Sequence, residues 1–76
     1  MKLITGGYLS FYLPGRKNQL QIEIDGPVPL KDVLRESGIP LGEVFLTAIN
    51  GIMVDLEQAT VYPEDVVNVV SAIDGG

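Results

Sequence analysis

The side chains that most often do chemistry near neutral pH are missing from this sequence, which contains neither Cys nor His. Their absence excludes a thiol nucleophile, an imidazole base, a disulfide staple and a thiolate site for zinc or an iron–sulfur cluster. Carboxylates, lysines and hydroxyls remain, and self-contained catalysis is not expected of them, nor is a bound metal or cofactor. The distinctive feature lies on the main chain instead, because the sequence closes on Gly75-Gly76. Two glycines carry no Cβ, so a carboxylate at Gly76 would ride on a slim, extended thread suited to a narrow channel in another protein. With 9 glycines in 76 residues, chance would place a pair at two set positions in about one sequence in 70. Asp74 beside the pair reads either as a solubilising charge or as a mark for a basic channel.

The stretch that must position this end is Val66-Val67-Asn68-Val69-Val70-Ser71-Ala72-Ile73. Its density of β-branched residues favours an extended backbone, and its nearly continuous apolar run predicts a central strand, parallel to the first, with neighbours on both sides. Alternation puts Val67, Val69 and Ile73 on one face and Val66, Asn68, Val70 and Ala72 on the other. Only one face can lie against a helix. The second row is therefore either covered by loops or a docking patch, with Val70 and Ala72, nearest the end, as the candidate docking residues together with Asp74.

Upstream, residues 2–8 read as a first strand weakened by Gly6-Gly7, and residues 9–13 fit either a strand or a helical turn. Pro14-Gly15-Arg16-Lys17-Asn18 supplies hairpin chemistry, with Arg16 and Lys17 read as a solvated tip. Residues 20–25 alternate strictly and predict a second strand with Leu20, Ile22 and Ile24 facing the core. Pro29 suits the first turn of a helix over residues 30–37 whose buried stripe is Leu30, Val33 and Leu34, and Gly38 followed by Ile39-Pro40 ends it. Residues 44–49 are apolar on both faces, and Asn50-Gly51 predicts a two-residue hairpin returning through residues 52–54. Residues 56–62 read as a connecting loop, and Pro63-Glu64-Asp65 as the turn into the last strand.

One domain spanning residues 1–76 is expected, since a chain this short has no room for a second core. One helix among five strands cannot build an all-parallel sheet, so the expected class is α+β: a mixed five-stranded sheet around one main helix. The net charge of −5 disfavours nucleic acid and anionic membrane as partners and favours a basic protein surface. The opening Met1-Lys2-Leu3-Ile4-Thr5-Gly6-Gly7 is too short in apolar length for a signal peptide, and no stretch approaches the roughly 20 apolar residues of a membrane span, so a cytoplasmic location is expected.

Tyr12-Leu13-Pro14-Gly15-Arg16 after the first strand, Leu34 with Gly38-Ile39-Pro40, Glu43-Val44, Asn50-Gly51, and Asp65-Val66-Val67 ahead of Gly75-Gly76 occur in an order and spacing that carry a resemblance. Over nearly its whole length the chain resembles the ubiquitin-like β-grasp sulfur carriers, the MoaD/ThiS family, which includes the small subunit of molybdopterin synthase and the thiamine sulfur carrier. It departs from them at Pro63-Glu64-Asp65, where the family usually has Asp-Gly-Asp; proline presets the first central position of a type I turn, so the turn is retained by other means. The resemblance implies a ubiquitin-activating-type adenylyltransferase that uses ATP to join Gly76 to AMP, and a sulfur donor that converts the adenylate to a thiocarboxylate. It also implies an acceptor enzyme, such as the molybdopterin synthase large subunit or thiazole synthase. The resemblance leaves the destination of the sulfur open among molybdopterin or its tungsten counterpart, placed first, thiamine, placed next, and tRNA or another acceptor, with Gly75 and Gly76 threading the partners' channels. Two other readings stand beside it: a ubiquitin-like modifier conjugated through Gly76, and a non-covalent β-grasp interaction module.

Overall fold

The structure, a computed structural model, describes residues 1–72. Among them are seven strands and one α-helix: β1 Lys2–Gly6, β2 Gln19–Gln21, β3 Val28–Pro29, α1 Leu30–Glu36, β4 Val44–Ile49, β5 Ile52–Met53, β6 Thr60–Val61 and β7 Val66–Ser71. Five strands form one mixed sheet in the order β2-β1-β7-β4-β5, and β3 and β6 form a separate two-stranded sheet. The fold is α+β, with the last strand in the middle as expected.

β7 runs parallel to β1, with Leu3 opposite Val67 and Thr5 opposite Val69. It runs antiparallel to β4, with Thr47 opposite Val69 and Ile49 opposite Val67. Val67 and Val69 are wholly enclosed, and Ser71 completes their face. Val66 and Val70 are half-buried on the other face, while Asn68 and Ala72 are exposed. The face assignment therefore holds from Val66 to Ala72, and Ile73 lies outside the described residues.

α1 packs Leu30, Val33 and Leu34 into the core, the stripe that their spacing dictates. Pro29 is the residue just before the helix rather than one in its first turn, and the amide of Leu30 donates to the carbonyl of Ala59 at 3.0 Å. The C-terminus closes as a Schellman motif. Gly38, at φ +88°, donates to Arg35 and Ile39 donates to Leu34, both at 3.0 Å, while the Ile39 and Leu34 side chains are buried in the core.

Four expectations are corrected. β1 stops at Gly6 instead of residue 8, because Gly7 takes φ +64° and turns the chain into a 3₁₀ turn over Leu9–Tyr12. β2 ends at Gln21 instead of residue 25: Ile22 is bonded to Met1 through both its amide (2.9 Å) and its carbonyl (2.7 Å), and with Met1 the first strand has run out. Leu20, Ile22 and Ile24 still pack against the core, so the alternation was informative beyond the ladder. The connection over residues 56–62 contains β6, whose Val61 is fully buried and pairs with Val28. Finally, residues 44–49 are not uniformly apolar inside: Thr47 is buried, whereas Phe45 and Leu46 are exposed, with a register shift between Val44 and Leu46.

The Asn50-Gly51 turn has positive φ at both residues, +52° and +84°, the conformation of a type I′ hairpin, and joins Ile49 to Ile52 as expected. Asn50 also ties this hairpin to the start of β7. Its Oδ1 accepts from the Val66 amide and its Nδ2 donates to Asp65 Oδ1, both at 3.0 Å, while Asp65 Oδ2 accepts from the Tyr62 amide at 2.9 Å. The Pro63-Glu64-Asp65 turn closes through Asp65 N donating to Tyr62 O at 3.0 Å.

Two core substitutions should act in opposite directions. Leu34→Ala removes a side chain with no exposed surface and should cost about 2–5 kcal/mol. Thr5 is buried with its hydroxyl unpartnered among the described residues, so Thr5→Val, nearly the same shape, should stabilise by about 1 kcal/mol. Denaturant midpoints measure both, and a loss below about 1 kcal/mol for Leu34→Ala would show that α1 does not anchor the core.

Candidate functional site at the end of the last strand

β7 brings the chain to one end of the sheet, where Ser71 is fixed from the side by the turn after β1. The Tyr8 amide donates to Ser71 Oγ at 2.7 Å. Gly7 makes this approach possible, because a Cβ there would run into Ser71 Oγ, and the positive φ of this residue suits glycine besides. The strand end and the first turn are thus locked together by a buried hydroxyl and a missing side chain.

Of the residues singled out in the sequence, Val70 and Ala72 fall within the described structure, and Asp74, Gly75 and Gly76 lie outside it. Val70 sits on the outer sheet face, opposite Gly6 and Leu46 in the two neighbouring strands, and its methyl carbons are 3.5 and 3.7 Å from where a Gly6 Cβ would be. Ile4, Leu46, Ala48 and Met53 share that face by register, and Leu46 and Met53 are exposed. Among the described residues the second apolar row is thus not closed over by loops at Leu46 and Met53. Ala72 is exposed and lines a cleft of about 100 Å³ with Tyr8, Tyr12, Glu43 and Phe45. The structure therefore sends the two docking candidates to different surfaces, Val70 to the outer sheet face and Ala72 to the cleft.

Sequence reasoning missed what surrounds Ala72. Tyr8, Phe11 and Tyr12 project from the first turn, while Leu9 and Leu13 from the same turn are buried in the core. The signal was available in the composition: Leu9 opens the 3₁₀ turn and Leu13 follows it, and burying both leaves Tyr8, Phe11 and Tyr12 to face outward. Phe11 and Tyr12 meet edge to face with ring centroids 5.6 Å apart. Arg16, read as part of a solvated tip, instead has its guanidinium 4.8 Å above the Phe11 ring. A second, wider groove of about 470 Å³ runs between Gly7, Tyr8, Ser10, Phe11, Tyr12, Arg16 and Glu43. It shares Tyr8, Tyr12 and Glu43 with the cleft at Ala72.

Among the described residues no group of three or more His, Cys, Asp or Glu is placed to hold a metal ion. No helix among them is long and apolar enough to cross a membrane. A scan against protein-family models finds no match for this chain, and neither does a search of curated proteins.

The lock between the first turn and β7 gives a direct test. Gly7→Ala should destabilise the fold by about 1 kcal/mol or more, through both the clash at Ser71 Oγ and the positive φ. Ser71→Ala should cost about 1–3 kcal/mol, since it leaves the Tyr8 amide unpartnered. Because the two changes break one contact, their double mutant should cost less than the sum, and additive losses would show that the contact is not shared.

Proposed function

We propose that this protein is a ubiquitin-like β-grasp sulfur carrier of the MoaD/ThiS kind, acting through the carboxylate of Gly76 and not through any side chain of its own. The observation that supports this reading is the placement of β7, the strand that precedes Gly75-Gly76. It is the middle strand of five, paired on both sides, and its last residue is pinned by the first turn. A mixed sheet with one helix packed on it, and a central last strand parallel to the first, is the arrangement that a β-grasp requires.

A carboxylate is a poor electrophile, so the chemistry begins with activation by a ubiquitin-activating-type adenylyltransferase. An oxygen of Gly76 attacks the α-phosphorus of ATP, pyrophosphate leaves, and the product is an acyl adenylate. A sulfide-level donor then adds to the acyl carbon, AMP leaves, and a thiocarboxylate remains. The thiocarboxylate stores sulfur as a main-chain nucleophile, which accounts for a chain without Cys or His. The acceptor would be a partner enzyme of molybdopterin or tungstopterin synthesis, or of thiazole formation, that supplies its own active site around the tail.

Incubation with an activating enzyme, ATP and sulfide should raise the intact mass by about 16 Da, the difference between oxygen and sulfur, with the gain on the C-terminal fragment. A chain ending at Gly75 should be adenylated about 100-fold more slowly, because the shortened thread misplaces the attacking oxygen by more than an ångström. Equal rates for the two chains, or no adenylation of either, would sink the carrier reading. Accumulation of lysine-linked conjugates in place of thiocarboxylate would instead assign the chain as a modifier.

A further inference from the structure

We propose that the ridge of Tyr8, Phe11 and Tyr12, together with Arg16, is a docking groove for a protein segment that presents an aliphatic side chain next to a carboxylate. The first observation is where the aromatic residues are. The sequence has three Tyr, two Phe and no Trp, and all five are exposed to at least 36%, while the core is built of Leu, Val, Ile and Met. Aromatic side chains carry the largest apolar surface available to a small domain. Here four of them, Tyr8, Phe11, Tyr12 and Phe45, line the two adjoining clefts at the end of β7. Exposed apolar surface gathered in one place marks an interaction site, and aromatic residues with Arg are the side chains that dominate such sites.

The second observation is that this surface is rigidly mounted. Leu9 and Leu13 anchor the turn in the core, Phe11 N donates to Tyr8 O and Leu13 N to Ser10 O at 3.1 Å, and Tyr8 is held to Ser71. A partner meeting these rings has little ordering left to do.

Arg16 supplies the chemistry of the occupant. It follows Gly15 into the left-handed region, at φ +54°, a conformation uncommon for a residue with a Cβ, and this places its guanidinium over Phe11. Among the described residues its side chain has no acceptor, whereas Arg35 pairs with Asp32 and Lys31 with Glu57. Although the net charge of −5 favours a basic partner for the chain as a whole, this guanidinium, supported by a ring and without an acceptor among the described residues, is a local cation that fits a carboxylate taken in a two-pronged hydrogen bond. Among the described residues Glu43 is the one acid lining this groove, so the partner's carboxylate is expected on the side of Arg16. A groove of about 470 Å³ has room for such a residue pair.

The test is an amide-resolved NMR titration of the full chain with the peptide acetyl-Leu-Glu-Leu-Glu-amide, and it needs neither ATP nor an activating enzyme, so its outcome is independent of the carrier reading. Saturable shifts are expected at Tyr8, Phe11, Tyr12 and Arg16. The Leu-Gln-Leu-Gln peptide should bind about tenfold more weakly. Arg16→Gln, at an exposed position, should keep the melting temperature and lose about tenfold in affinity, with Arg16→Lys restoring little of it. Equal affinity for the two peptides, undiminished binding by Arg16→Gln, or shifts centred on Leu46 and Val70 would overturn the proposal. So would AMP shifting the ridge where the peptide does not, which would make it a nucleotide site. A chain ending at Ala72 should bind the peptide as the full chain does. A tenfold gain on that truncation would assign the groove to residues 73–76 and overturn the proposal as well.

Discussion

Val67 and Val69 have no exposed surface because the strand that carries them is hydrogen-bonded on both sides and covered on one face by aliphatic side chains from α1 and the turns. That enclosure constrains nearly everything else. A last strand in the middle must find a parallel partner, and β1 is available only because the chain leaves it by a hairpin and crosses back through α1. Its antiparallel partner, β4, can lie on the other side only if the helix ends sharply, and Gly38 in the left-handed conformation ends it within one residue. The Asn50 side chain then fixes where β7 begins, through bonds to Val66 and Asp65, and the Tyr8 amide fixes where it stops, at Ser71. Each end of the strand is thus set by a polar contact and its middle by apolar burial.

A domain of this size buries only about 60% of the surface its unfolded chain exposes, so little stability is to spare. Against that background the distribution of aromatic residues is costly. Burying even one of them would contribute more apolar area than any leucine in the core, yet all five lie at least 36% open. The core instead interlocks small branched side chains, which suits the narrow space between one short helix and a five-stranded sheet. Four of the five, Tyr8, Phe11, Tyr12 and Phe45, lie instead around the two clefts at the end of β7.

Much of this was legible in the sequence wherever one physical rule dominated. The β-branched run of β7 marked a central strand, Asn50-Gly51 marked the hairpin between β4 and β5, and Leu30, Val33 and Leu34 gave the buried helix face. Elements failed to show where their extent depends on a distant partner. β2 stops where Met1 stops, and no property of residues 23–25 announces that. β3 and β6 are two residues each, too short for alternation to register, and exist because Val28 and Val61 meet. At the site, the positions of Val70 and Ala72 followed from counting along the strand, but the surfaces they join did not. Arg16 looked like an ordinary turn residue because its placement over Phe11 comes from backbone angles, which composition does not encode.

The link between strand and ridge gives the site its coherence. Leu9 and Leu13 hold the first turn to the core, and Tyr8 carries both an aromatic ring facing outward and the amide that grips Ser71. One residue therefore belongs to the docking surface and to the anchor of β7. Because Gly7 leaves no Cβ to separate them, the first turn and the strand end meet directly at Ser71. Ala72 lies where these two meet, on the wall shared with Tyr8 and Tyr12, so whatever enters the cleft senses the ridge and the strand together. That sharing ties the end of β7 to the aromatic surface through one residue: the contact that places Ser71 also places the ring of Tyr8 beside it.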